Sequence, residues 1–302
     1  MRLLPEQSRK YFAQRRTQSS RLGYSLPKTA FMPYKLAAID LDGTLLSSQH
    51  AVTDGNEAAV RQAVRNGAVI VLASGRQWVT IHRFAKQLGL PQDVPIIAYN
   101  GAMIRTVGGE TWFHQPLPAD AAAKIVAYCA EFGYHLNYYL DDELYVRDHT
   151  PWGDIYYKRT GTEARITGNL GKFNGRQPTK LILVDTLKTT NRLLIHFQAE
   201  FGDTLYMTKT EDEYLEFMDP NVSKGLALTE VARRLDLTAG DCAAFGDSFN
   251  DASMLEWAGL GVAMENARPE LKAIASLIAP PADSDGVGRV LAELFPIHPQ
   301  NE

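Results

Sequence analysis

The sequence predicts an α/β protein: a core built on a buried parallel sheet, interrupted by an inserted α+β segment. Three observations lead there. Short, wholly apolar runs recur, each ending in small or polar residues, as strands buried on both faces do. Segments with apolar residues at helical spacing fill several of the gaps between them. The middle third then departs from this alternation, mixing alternating strands and turn signals with helices, the signature of a mostly antiparallel sheet.

In chain order, "KLAAIDL" (35–41) reads as the first strand. "TDGNEAAVRQAVRNG" (53–67) follows as a helix with a Thr or Asp cap at its start and Gly67 at its close. "AVIVLAS" (68–74) and "PIIAYNG" (95–101) read as two further buried parallel strands. The change of character spans 116–212. It begins with a helix in "PADAAAKIVAYCAEFG", continues with strands in "HLNYYLDDELYVRD", and then gives an aromatic-rich helix or loop near "PWGDIYYKRTG". A strand in "KLILVDT", another helix and the strand-like "TLYMTKTEDEYLEFM" complete it. The core resumes with a helix in "SKGLALTEVARRLDL" and strands in "DCAAFGD" and "GLGVAM". The expected domains are therefore a core of 34–115 and 213–302 and an inserted segment of 116–212. No internal repeat is present.

Composition narrows the function. The chain has 302 residues, 45% hydrophobic and 22% charged, enough to bury a large core. Its two cysteines, Cys129 and Cys242, form no CxxC pair, which argues against a thiolate zinc site or a disulfide framework and for a reducing compartment. No apolar run reaches the ~18 residues of a membrane span, so a cytoplasmic protein is expected. The net charge of −4 divides unevenly: residues 1–31 carry seven basic side chains against Glu6, a sum of +6, and leave −10 for the rest. An acidic body lacks the electrostatic footprint of a nucleic-acid binder. The basic leader, 1–33, is Arg- and Ser-rich like a transit peptide; because Met32 directly precedes the first strand, it is expected to be a misassigned start or a disordered tail.

The chemistry concentrates at strand ends. In "AIDLDGTLL", Asp40 and Asp42 stand at i and i+2, so both side chains share one face where ligands sit in an open α/β sheet. At ordinary composition a bare DxD is expected about once in such a chain by chance; the adjoining Gly43 and Thr44 lower that by roughly two to three orders of magnitude. Two carboxylates this close need a cation between them or a proton on one of them. A hard cation such as Mg²⁺ suits Asp40 as a nucleophile, and a proton on Asp42 suits a general acid. "LASGR" offers Ser74, Gly75 and Arg76 to a phosphate oxygen, though a Ser-Gly turn alone is commonly only a turn. "VSKG" sets Lys224 at a helix start, where a cation is disfavoured unless an anion is near; a solvated surface lysine is the other reading. "GDSFND" supplies Asp247, Ser248, Asn250 and Asp251, a second acidic cluster at a second strand end.

These four motifs, in this order, resemble those of the haloacid dehalogenase (HAD) superfamily, in its Cof-like subclass IIB of phosphatases. "AYNGAMI" (98–104), "AMENA" (263–267) and "SDGVGRVL" (284–291) agree, and the resemblance runs from Tyr34 to about Leu294. It implies a Rossmann-like HAD core and identifies the insert as an α+β cap domain of type C2B. It implies Asp40 as nucleophile, Asp42 as general acid and base, and Mg²⁺ held by Asp40, the Asp42 carbonyl and Asp247. Leu41, Ser74, Gly75, Lys224 and Asn250 would contact the phosphoryl group, with Thr44, Arg76 and Asp251 in support. No organic cofactor is implied. The substrate would be a small phosphate monoester: a sugar phosphate, a nucleotide or a phosphorylated cofactor. Cap residues Asp142, Trp152, Tyr156, Tyr157 and Arg159 could reach the leaving group, although aromatic residues at helical spacing are more often core. A sugar-phosphate mutase using the same two aspartates and a non-catalytic phosphate-binding protein remain alternatives.

Overall fold

The computed structural model describes residues 34–209 and 211–296; the expected leader, 1–33, lies outside the described residues. The chain enters through β1 (Leu36–Ile39), α1 (Asp54–Arg65), β2 (Val69–Leu72) and α2 (Trp78–Leu88). Thr53 caps α1 by accepting a hydrogen bond from the Asn56 N–H, and Gly67 turns the chain afterwards at φ 87°. Strands β3 (Pro95–Ala98), β4 (Met103–Thr106) and β5 (Thr111–His114) follow. Then come α3 (Ala119–Phe132), β6 (His135–Leu140), β7 (Glu143–Val146), α4 (Pro151–Thr160), β8 (Ala164–Ile166), β9 (Lys180–Val184), α5 (Leu187–Phe201), β10 (Tyr206–Thr208) and β11 (Tyr214–Met218). The chain closes with α6 (Lys224–Arg234), β12 (Cys242–Gly246), α7 (Ala252–Trp257), β13 (Leu260–Met264), α8 (Pro269–Ile274), β14 (Leu277–Ala279) and α9 (Gly286–Leu294).

Five strands form a parallel sheet in the order β14-β13-β12-β1-β2. Every residue of β1 is buried, which is why this strand reads as a continuous apolar run rather than an alternation. Because β12, β1 and β2 are adjacent and parallel, the segments after Gly246, Ile39 and Leu72 emerge side by side at one edge of the sheet. That edge is where an open α/β sheet places its ligands.

The run at 95–101 was expected to join this sheet as another parallel strand. Instead β3 pairs antiparallel with β4, and β4 with β5, in a sheet of their own. β3 still runs parallel beside the end of β2, through the bridge between Ala73 and Ile97, so the parallel expectation holds there and the antiparallel partner β4 is what differs. The reason is local: Tyr99, Asn100 and Gly101 all take positive φ, reversing the chain so that β4 returns beside β3.

The inserted region forms a six-stranded sheet, β10-β11-β9-β6-β7-β8, antiparallel except between β7 and β8. Its second boundary lies beyond the expected 212, because β11 pairs with both β9 and β10 and so carries the sheet to Met218. The sheet has two chemically different faces. Leu136, Tyr138 and Leu140 of β6, Leu181 and Leu183 of β9, and Leu215 and Phe217 of β11 share an apolar cluster with Ile125 of α3 and Phe197 of α5. The intervening residues, Asn137, Tyr139, Lys180 and Glu216 among them, are buried on the other face.

Gly101 shows how closely the pieces fit. At φ 101°, a Cβ there would lie 2.3 Å from the Ser223 carbonyl oxygen, at the start of α6. Gly101→Ala is therefore expected to lower unfolding stability by about 1–3 kcal/mol in urea titrations. A variant as stable as the wild type would contradict this close approach.

Candidate active site

Each strand end contributes a group to one cluster. Asp40, the first residue after β1, is buried and donates its N–H to the Phe245 carbonyl of β12 at 3.1 Å. The turn that follows is tied back by Leu45 N–H to the Asp40 carbonyl and Leu46 N–H to the Leu41 carbonyl. Gly43 is required here: its φ is 75°, and an added Cβ would fall 2.4 Å from Asp247 Oδ2. Asp247, the first residue after β12, accepts a long 3.4 Å bond from Thr44 Oγ1. Asp251 stabilises the second loop, with Oδ2 accepting from the N–H groups of Asp247 and Ser248, each at 3.0 Å.

Lys224 joins these parts. It is 0% exposed, and its Nζ donates to Asp40 Oδ1 and Asp251 Oδ1, both at 2.6 Å. Burial works against the ammonium charge, but Asp251 and Asp40 outweigh it and hold the group above its ordinary value. The anions that allow a lysine at the start of α6 are these two carboxylates. Of the two readings of Lys224, the surface one is excluded. Its place behind the carboxylates, away from the cleft lining, makes it first a partner of Asp40 rather than a wall of the cleft.

Oxygens of Asp40, Asp247 and Asp251 all lie within 4.8 Å of one another. Three carboxylates against one ammonium leave the cluster short of positive charge. Burial and the Asp251 carboxylate raise Asp40 well above the usual carboxylate range, and the same two causes push Asp247 up to about 7. An all-oxygen set of carboxylates, those of Asp40 and Asp251 buried and that of Asp247 half-buried, with that deficit fits a hard divalent cation.

Asp42 is placed differently. Its side chain is 47% exposed and accepts two hydrogen bonds from Arg76, one from Nε at 2.7 Å and one from Nη2. His50 Nδ1 stands 3.9 Å from the same carboxylate. The Ser74-Gly75-Arg76 loop is pinned by backbone bonds: Ser74 N–H to the Ile97 carbonyl, Asn100 N–H to the Ser74 carbonyl and Tyr99 N–H to the Arg76 carbonyl. Asn250 Nδ2 donates to Asn100 Oδ1 at 2.9 Å. Asp40, Asp42, Ser74, Gly75, Arg76, Asp247 and Asn250 line a cleft of about 650 Å³; Leu41, Thr44 and Asp251 are buried behind it.

The expected cap residues separate. Tyr156 and Arg159 line the cleft. Asp142 does not: it accepts from Tyr99 Oη at 2.7 Å and the Trp78 N–H at 3.2 Å, tying the β6–β7 turn to the first residue of α2. Tyr157 lies edge-on to His135, and Trp152 is half-buried away from the cleft. Sequence reading missed Lys180, Glu211, Tyr214 and Glu216, which line the cleft from the cap sheet and its loops. The available signal was a charged residue, Lys180 or Glu216, inside an otherwise apolar strand.

Comparison with known proteins agrees with this geometry. The family model described as haloacid dehalogenase-like hydrolase matches residues 37–291. A phosphatase of Bacillus subtilis is 29% identical over 286 residues, covering 86% of this chain and 100% of its own. An HMP-PP phosphatase of Yersinia enterocolitica is 28% identical, over 79% of this chain and 86% of its own. A crystal structure from Thermotoga maritima superposes with a TM-score of 0.80 at 30% identity, over 86% of this chain and 97% of that one.

Replacing Lys224 by Met would leave Asp40 and Asp251 facing each other without their shared cation. The expected loss in urea-unfolding stability is about 3–5 kcal/mol. Adding Asp251→Asn should recover part of it, and a loss below about 1 kcal/mol in the single variant would show that the triad does not carry the site.

Proposed function

This chain belongs to the haloacid dehalogenase-like hydrolases and is a phosphatase of that family, and we propose that it hydrolyses a small phosphate monoester through an aspartyl phosphate on Asp40. The observation that carries this reading is the Asp40 carboxylate at the cleft floor, oriented by Lys224 through one oxygen. A carboxylate so held can approach phosphorus in line without reorganising.

In the first step an Asp40 oxygen bonds to phosphorus while the ester P–O bond breaks, its electron pair passing to the leaving oxygen. Asp42 supplies the proton that oxygen needs. Arg76 donates twice to Asp42 in this structure, so the acid step requires Asp42 to turn from Arg76 as the substrate enters. Asp42 then takes a proton from water, the water oxygen bonds to phosphorus, and Asp40 is released. Ser74, the Gly75 N–H and Asn250 hold phosphoryl oxygens from the cleft wall. The carboxylates of Asp40 and Asp247 with the Asp42 carbonyl would hold Mg²⁺, which when bound supplies neutralising charge to the phosphoryl oxygens.

The leaving group lies against the cap. Tyr156, Arg159, Glu211 and Tyr214 there present phenols, a guanidinium and a carboxylate, which suits a polar leaving group of sugar or nucleoside size. The relative named as an HMP-PP phosphatase supports a small phosphorylated metabolite as substrate.

A hydrolysis screen across phosphate monoesters, with and without Mg²⁺, tests the reading; no turnover of any monoester would overturn it. Asp40→Asn is expected to lose at least about a thousandfold in kcat while staying folded. Asp247→Ala should raise the Mg²⁺ concentration for half-maximal rate well above that of wild type, and an unchanged half-saturation point would remove Asp247 from the metal set.

A further inference from the structure

The Ser74-Gly75-Arg76 loop is fixed on one side by the core backbone, but on the other by a side chain of the cap. Lys180, at the start of β9 and 3% exposed, donates from Nζ to the Gly75 carbonyl at 2.7 Å. Its counter-ion, Glu216 of β11, lies 3.3 Å away on the same face of the cap sheet. The rings of Tyr99 and Tyr139 flank the ammonium at 5.9 and 5.6 Å.

The consequence follows from peptide planarity. The Gly75 carbonyl and the Arg76 N–H belong to one rigid trans unit and point in opposite directions. With the carbonyl held by Lys180, the N–H is aimed at Ser74 Oγ, to which it donates at 3.2 Å. A hydroxyl oxygen occupied as an acceptor keeps its own hydrogen to donate. We propose that Lys180 is a positioning residue contributed by the cap: by clamping the Gly75–Arg76 peptide it aims the Ser74 hydroxyl at a phosphoryl oxygen, so that the phosphate site is complete only with the cap sheet in place. This rests on the phosphatase reading for its ligand, a phosphoryl group. Glu216 keeps the clamp charge-balanced. Near it, Asn100 carries the amide oxygen that receives Asn250.

The test uses Lys180→Met combined with Glu216→Gln, which removes both buried charges together, and Glu216→Gln alone, which keeps the ammonium and its bond to Gly75. Calorimetry with inorganic phosphate as the probe, in the presence of Mg²⁺, reads the site without turnover, and circular dichroism reads the fold. The double variant should bind phosphate at least about tenfold more weakly with an unchanged spectrum, and Glu216→Gln, which leaves the Lys180 donor on the Gly75 carbonyl, should lose clearly less than the double variant. Adding Ser74→Ala to the double variant should cost little more, since both changes remove the same donor. Wild-type phosphate affinity in the double variant, or losses that simply add with Ser74→Ala, would overturn the proposal. If the wild type binds phosphate yet hydrolyses no monoester, the proposed function falls and the Lys180 result still stands.

Discussion

The site depends on one buried ammonium. Asp40, Asp247 and Asp251 come together because β1 and β12 are neighbours in a parallel sheet, and carboxylates gathered there would repel one another out of a folded core. Lys224, bonded to Asp40 and Asp251 at equal distance, is what the chain itself provides against that repulsion. The requirement reaches outward. Ser223, which accepts from the Leu226 N–H, caps α6 and so puts Lys224 at its first position, and α6 is seated by the close approach of Gly101, which in turn needs the left-handed reversal at 99–101. The fold's departure from a simple parallel sheet, the small antiparallel sheet β3–β5, is thus part of the structure that seats Lys224.

The second organising feature is the two-faced cap sheet. One face buries leucines and phenylalanines against α3 and α5, each large side chain contributing about 1.5–3 kcal/mol on burial. The other carries Asn137, Tyr139, Lys180 and Glu216 under equally complete burial, where a polar group left without a partner is costly, as the amide nitrogen of Asn137 is left. Lys180 finds its partner in the core, at the Gly75 carbonyl, and Asp142 finds Tyr99 and the Trp78 N–H. Pairing polar groups across the boundary makes the cap a structural part of the loop beside the cleft as well as its roof.

Much of this was legible in the residues. The buried strands announced themselves as continuous apolar runs, and the strand-end acids stood in an order that placed them on one edge. What failed to show had physical reasons. Tyr99 adopts a positive φ that is uncommon for an aromatic residue, and the turn signal of the Asn100-Gly101 pair was read as the end of a strand rather than as a reversal into another. The boundary at 212 left β11 outside the insert because a short, wholly buried strand such as "YLEFM" reads alike in either domain. Lys224 taken by itself read better as a solvated residue, since the carboxylates that bury it lie 184 and 27 positions away. Asp142 was expected to be able to reach the leaving group, whereas its partners are Tyr99 and the Trp78 N–H at the start of α2, contacts no local pattern encodes.

The central claim is that Asp40, oriented by Lys224, carries the phosphoryl group covalently. The most direct measurement is an acid quench during steady turnover of a hydrolysed monoester, followed by borohydride reduction and peptide mass spectrometry, since reduction of an acyl phosphate converts that aspartate to homoserine. The account predicts homoserine at position 40 alone, and none when the substrate is omitted. Homoserine at Asp42, Asp247 or Asp251, or an unmodified Asp40 while substrate is being consumed, would contradict it.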